Sequence, residues 1–403
     1  MKPVEIKKDI YWVGMVNFAS HNFHGYAISP RGTTYNCYVV KDEKNVLFDT
    51  VQADHSEDML ARLRQVIEPE KIDYIVINHV ELDHAGALAE MVEVCKPEKI
   101  FCSPMGLKSM ASYFDISGWP VQAVKTGEVL NIGKRNIHFV ETRMLHWPDS
   151  MFSYIPEDKL LISNDAFGQN IASYCRFAHE IDEKEALTNF IEEYYFNIVL
   201  PFSSQVLKTL DLVTELKLDI DMIAPDHGVI FKGQKDVGFI LNKYREMAEQ
   251  KPRKKALIFY DTMWRSTETL ANYIGCGLDQ VGVPYRVMYL KNHHHSQIMT
   301  ELAKCSAIIP GSPTHNNGIM PLVAGVLTYM KGLRPQNLVG GAFGSYGWSG
   351  ESTRDLTGWL DAMKVEQPAE PVKCLFRPTK ADLEAAENLG RKVGEALIAK
   401  CEK

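Results

Sequence analysis

The chain has 403 residues, long for one domain and comfortable for two, with 45% hydrophobic and 24% charged residues, as in ordinary globular proteins. A net charge of −7 without a long basic block argues against nucleic acid as a partner and leaves room for a basic donor protein. No apolar run reaches membrane-span length, MKPVEIKKDIYWVG lacks a signal-peptide core, and the eight cysteines are scattered without a CxxC pair, which predicts a reducing cytoplasm and excludes a disulfide framework or a built-in rubredoxin module.

In chain order, TTYNCYVV (33–40) and NVLFDT (45–50) read as strands. A helix over 57–67 and the buried strand IDYIVIN (72–78) follow. Helix–strand alternation continues in GALAEMVEVC and KIFCSP. The strands IHFVETRML (137–145), LLISND (160–165) and MIAPDH (222–227) come next, each running into a His or Asp. Strand ends are where α/β folds place their chemistry. EMAEQKPRKKA (246–256) reads as a seam, charged, with Pro252 and no apolar face. It predicts domains over 1–250 and 254–403. Beyond it, KALIFYD (255–261) opens five β/α units in about 150 residues, the pattern of an open, doubly wound parallel sheet with helices on both faces.

The densest chemistry is HVELDHAG (79–86), four ligand-type side chains in six residues. It nearly spells the His-x-His-x-Asp-His of hydrolytic metal sites, with Glu81 in place of the middle histidine. Side chains alternate after a strand, so His79, Glu81 and Asp83 converge and His84 turns toward the neighbouring space. The bland alternative is a solvated loop with Asp83 capping a helix from Ala85. It leaves unexplained His146, Asp165 and His227, which the other strand ends supply. Carboxylates mixed with imidazoles make a harder site than zinc hydrolases use and favour iron or manganese.

In the second half, the loop TMWRST (Thr262, Met263, Trp264, Arg265, Ser266, Thr267) follows a strand and opens a helix. Hydroxyls and free N–H groups at a helix N-terminus suit a phosphate monoester. The GxGxxG of dinucleotide sites is absent. Two more strand-end loops suit a planar ring: Pro313, Thr314, His315, Asn316, Asn317 and Gly318, then Ser345, Tyr346, Gly347, Trp348, Ser349 and Gly350. Under a 2-1-3-4-5 strand order all three share the ligand crevice. HHHSQ (293–297) reads as a solvated or subunit-contacting loop, because three adjacent histidines cannot all face one ion.

HVELDH, LHWPDSM, SNDAFGQ, PDHGVI and FHGYAISPRGTTYN, with the whole second half, resemble the flavodiiron proteins, and within them the rubredoxin:oxygen oxidoreductase group. The resemblance spans essentially the whole chain. It implies a metallo-β-lactamase-like αββα sandwich followed by a flavodoxin-like domain. One iron takes His79, Glu81 and His146, the other Asp83 and His227, and Asp165 bridges; His84 stays open between ligating and turning away. His24 and Tyr195 line the metal pocket or pack in the core. FMN lies on the three loops, its phosphate at 262–267. Electrons pass from rubredoxin or another low-potential donor through FMN to the irons, which reduce O2 to water or NO to N2O. A head-to-tail homodimer, or a dimer of dimers, is also implied. Two alternatives stand beside this: a zinc hydrolase fused to a flavodoxin-like module, and an FMN electron carrier with a purely structural metal domain.

Overall fold

The structure, a computed structural model, describes residues 2–403. It divides into two compact units. The first comprises the chain up to His24, Ser29–Tyr195 and Phe202–Ala248. The second comprises Gly25–Ile28, Phe196–Pro201 and Glu249–Lys403.

Two sheets make the first unit. One has seven strands, in the order Val4–Lys7, Ile10–Trp12, Tyr38–Val40, Val46–Phe48, Tyr74–Ile77, Lys99–Cys102 and Val121–Ala123. The other has six: Val129–Asn131, Asn136–Glu141, Met151–Ile155, Leu160–Ile162, Met222–Ala224 and Phe231–Lys232. Alternation along each strand sorts the side chains into layers. Tyr38, Val40, Phe48 and Val76 face Ile137, Phe139, Met151 and Ile162 in the core between the sheets. Val39, Leu47, Ile75 and Ile77 point the other way, onto Met59, Leu63, Leu88 and Met91 of the helices Ser56–Leu63 and Leu88–Cys95. Ser203–Glu215 and Gln234–Glu249 each bury one apolar face as well. This is the expected αββα sandwich. Val46–Phe48 pairs parallel with Tyr74–Ile77, and Leu160–Ile162 parallel with Met222–Ala224. Each parallel pair ends on one edge, and the segments that follow carry His79, Asp165 and His227.

Local readings needed correction. TTYNCYVV is two strands, Thr33–Tyr35 and Tyr38–Val40, because Asn36 leaves the ladder: its N–H donates to Asp226 O at 2.7 Å and its side chain to Pro225 O at 2.7 Å. The 137–145 run stops as a strand at Glu141. The seam has an apolar face after all. Its first residues end the Gln234–Glu249 helix, where Met247 and Ala248 are buried.

In the second unit five parallel strands stand in the order Tyr285–Tyr289, Ala256–Tyr260, Ala307–Pro313, Phe343–Tyr346 and Val372–Leu375, the 2-1-3-4-5 arrangement. The helices Ser266–Gln280 and Lys380–Cys401 cross closely. A Cβ on Gly277 would strike the Glu387 backbone, and one on Gly390 the Ile274 backbone, so glycine permits the contact. No described helix is long and apolar enough to cross a membrane. All eight cysteines are free thiols.

Candidate functional site

The Tyr74–Ile77 strand ends at Asn78, whose N–H and Nδ2 each donate to the buried Asp49 carboxylate at 2.7 Å. That anchor delivers His79. Its Nδ1 lies 3.1 Å from Asp149 Oδ2, an oxygen that also accepts from Val80 N at 2.7 Å. Its Nε2 then faces Glu81 Oε2 at 3.2 Å and Asp165 Oδ2 at 3.7 Å. His146 Nε2 completes the group, 3.5 Å from Glu81 Oε2 and 2.7 Å from Asp165 Oδ2.

A second group adjoins it. Asp83 Oδ2 lies 3.2 Å from both His84 Nε2 and His227 Nε2. Asp165 Oδ1 lies 3.0 Å from His84 Nε2 and 3.3 Å from His227 Nε2. Asp165 therefore turns one oxygen to each group, the disposition of a bridging carboxylate. His227 Nδ1 donates to the Thr34 carbonyl at 2.7 Å, which leaves Nε2 as the ligating nitrogen.

His84 departs from the expected direction. Residues Leu82–Ala85 form a helical turn, so the two-residue alternation stops at Glu81. Successive residues on a helix are about 100° apart, and Asp83 and His84 both reach inward.

Asp83 Oδ1, Asp165 Oδ1, both ring nitrogens of His84 and His227 Nε2 are buried without a hydrogen-bond partner. Of these, Asp165 Oδ1 lies 3.0 Å from His84 Nε2 and 3.3 Å from His227 Nε2, within hydrogen-bond distance but without hydrogen-bond geometry. Donor atoms gathered this way suit cations, and imidazole with carboxylate is a donor set that iron accepts. The residues fit a two-metal centre. Within the cluster, burial would push the Glu81 carboxyl up, but His146 and His79 bring it down to about 2. Burial likewise works against the charged His79 imidazole, yet Asp149 and Glu81 hold its pKa well above the ordinary histidine range.

Beside the cluster is a cavity of about 780 Å³ walled by His24, Gln52, Leu82, Tyr113, Phe114 and Trp147, among others. His24 belongs there, with Nε2 3.2 Å from Asp83 Oδ2. Tyr195 does not: its hydroxyl lies 3.0 Å from Ser203 Oγ and its ring packs edge-on to Tyr244. The ring of its neighbour Tyr194 is the one near the metal ligands, 5.7 Å from that of His227.

The second cavity, about 510 Å³, opens at the carboxyl edge of the second unit's parallel sheet. Its walls are Met263, Trp264 and Ser266; Pro313 to Asn317; Ser345 to Ser349; and Phe376. Trp264 is 88% exposed and Trp348 89%, two large flat rings at the mouth. Arg265, at φ 68°, precedes the Ser266–Gln280 helix without a side-chain cap, so the first-turn N–H groups can receive an anion. Stacking surfaces beside an uncapped helix N-terminus fit a flavin mononucleotide.

Five expected contacts hold the loops and are not part of this wall. Thr262 N–H donates to Asp261 Oδ1 at 2.7 Å, Thr267 Oγ1 is 3.0 Å from Ser345 Oγ, and Arg265 pairs with Glu268 at 2.8 Å. Gly318 and His315 exchange backbone hydrogen bonds, and Gly350 takes φ 86° against the Tyr346 ring. Phe376, not among the expected residues, also lines the cavity; it directly follows the Val372–Leu375 strand at the same sheet edge. The histidine run has three separate uses: His293 Nδ1 meets Tyr289 O at 2.9 Å, His294 caps the His295–Leu302 helix, and His295 Nε2 meets Tyr26 O at 2.6 Å.

Residues 33–228 match the family model described as ODP family beta lactamase, and residues 258–390 match Flavodoxin. The chain is 51% identical to the rubredoxin-oxygen oxidoreductase of Megalodesulfovibrio gigas, over 99% of each. It is 42% identical to the nitric oxide reductase of Moorella thermoacetica, over 98% of this chain and 99% of that one. The solved structure of the flavodiiron protein from Giardia intestinalis superposes with a TM-score of 0.95 at 31% identity, covering 100% of this chain and 98% of that one. The chain belongs to the flavodiiron proteins. Flavodiiron proteins are oxidoreductases that carry FMN on the flavodoxin-like domain and a di-iron centre on the lactamase-like one, and the two sites described above fit those cofactors.

The flavodiiron pattern named the ligand-type residues but not their supports. Asp149, within LHWPDSM, stands behind His79, a relation visible only in three dimensions.

Proposed function

We propose that the chain is a terminal reductase that takes electrons from rubredoxin or another low-potential donor and reduces O2 to water, NO to N2O, or both. Residues 1–250 would carry the irons and 254–403 the FMN. His79, Glu81 and His146 hold one iron; Asp83, His84 and His227 hold the other; Asp165 bridges. The observation that carries the reading is Glu81, which stands in the first ligand group 3.2 Å from His79 Nε2 and 3.5 Å from His146 Nε2. A carboxylate there hardens the site toward iron and away from zinc hydrolysis.

When bound, FMN stores two electrons and releases them singly, and the iron pair binds a diatomic gas and delivers electrons to it. The protein's part is positional. Asp149 and the Thr34 carbonyl set the tautomers of His79 and His227. His24 steadies Asp83 at the cavity. Phe114 and Trp147 give that cavity apolar walls, which limit water at the reacting atoms. On the other unit, Trp264 and Trp348 supply stacking surface.

The test is anaerobic reduction of the flavin followed by mixing with O2 or NO in parallel, with water, peroxide and N2O quantified. Zinc without iron in carefully purified protein would end this reading. Replacing Glu81→His should shift metal preference toward zinc and lower oxidase turnover; equal iron occupancy and turnover would contradict the role given to Glu81. The proposal includes a cytoplasmic site of action and a head-to-tail homodimer or dimer of dimers. Restored turnover on mixing an iron-free variant with a flavin-free variant checks the head-to-tail arrangement.

A further inference from the structure

One buried carboxylate beside the metal ligands has no part in the reading above. Asp226 is fully buried, and neither of its carboxylate oxygens has a hydrogen-bond partner. Such a group is strongly unfavourable unless it serves a nearby charge or donor. Asp49, whose charge also bears on it, is committed to Asn78. The ring nitrogen that faces Asp226 Oδ2 is His84 Nδ1, at 3.7 Å.

Both backbones are pinned. The His84 carbonyl accepts from Thr50 N at 2.7 Å and from Thr50 Oγ1 at 2.6 Å. Asp226 N–H donates to Asn164 O at 2.8 Å, and the Asp226 carbonyl accepts from Asn36 N at 2.7 Å. The imidazole is therefore set between carboxylates at its two ends, with Nε2 toward Asp83 and Asp165 and Nδ1 toward Asp226. Two other buried ligand imidazoles have closer Nδ1 partners: Asp149 for His79 at 3.1 Å and Thr34 O for His227 at 2.7 Å. Asp226 occupies the corresponding place for His84, at a longer distance.

We infer that Asp226 is a positioning residue for the second metal: it holds the His84 ring with Nδ1 protonated and Nε2 turned to the ion. The inference rests on the di-iron reading above and adds a residue that acts through another.

The experiment titrates ferrous iron anaerobically into the metal-depleted full-length chain, with chelator competition for affinity and Mössbauer spectra to separate the two irons. Asp226→Leu should weaken the second iron by roughly 10- to 100-fold and leave the first unchanged. Asp226→Asn, whose Oδ1 still accepts from Nδ1–H, should recover most of that loss. In a His84→Ala background, Asp226→Leu should add nothing. The melting temperature of the iron-free Asp226→Leu chain should equal or exceed that of the parent, because a buried carboxyl group without a hydrogen-bond partner is gone. If the leucine chain does not fold, the isosteric asparagine carries the same test, and its smaller loss must vanish when His84 is alanine. A second iron held as tightly as in the parent would overturn the inference, as would an equal loss with and without His84. A parent chain that binds no iron would instead sink the di-iron reading, so the two failures are distinguishable.

Discussion

The two sites are built on opposite principles. The metal cluster is largely buried, and its ligands arrive from four separated stretches of chain: 79–84, 146, 165 and 227. Its strength lies in charge: imidazole and carboxylate atoms are gathered at close range, and several of them are buried without a hydrogen-bond partner. The flavin cavity is open, its most conspicuous parts are exposed rings, and its walls come from loops at one sheet edge. Loss of one member should be severe in the first case and graded in the second, because a bridging charge has no substitute while stacking area is shared.

Asp165→Ala should have the largest effect. It removes the atoms that face both ligand groups, so iron binding should fall at both sites by more than the roughly 10- to 100-fold that an outer partner is worth. Flavin binding should stay unchanged; iron analysis and flavin absorbance on one preparation check both. Full retention of either iron would end the bridging role. Asp149→Asn should weaken only the first iron, by about 10-fold or more, read by the same chelator competition. Acidification sharpens the contrast without mutation. Metal binding requires deprotonated imidazole, so iron affinity should fall about tenfold per pH unit for each proton displaced, while stacked flavin persists. Dialysis at falling pH should release iron first; flavin leaving first would break the comparison. Trp264→Ala or Trp348→Ala should each weaken flavin by about tenfold, with iron content unaltered, as a fluorescence titration would show. Thr267→Val should be the mildest. It loses the contact with Ser345 inside the loop, worth about 1 kcal/mol of stability, and should shift flavin affinity little. A large loss of flavin there would mean that the hydroxyl meets the ligand directly.

Legibility followed the same division. His79, Asp165 and His227 could be read in the chain because each follows an apolar strand, and parallel pairing sends those ends to one edge. The three flavin loops were legible for the same reason. For His84, left open by the sequence, the direction of the ring depends on a helical turn that replaces strand alternation. Tyr195 gave way to Tyr194 near the ligands, since the helix ends at Tyr194 and the next residues wind as a π turn. Which groups tie the loops together is set in three dimensions: Thr262 N–H donates to Asp261, and the Thr267 hydroxyl meets that of Ser345.

The sequence by itself therefore determined the two-unit architecture, the ligand chemistry and the edge at which each site forms. Hydrophobic periodicity and side-chain type are local properties, and they carried that far. Only the tertiary structure decided which Asp165 oxygen faces which group, which carboxylate stands behind which imidazole, and which tyrosine of the pair turns inward. Those relations join residues tens to nearly two hundred positions apart, and they depend on sheet register and ring rotation that no local pattern specifies.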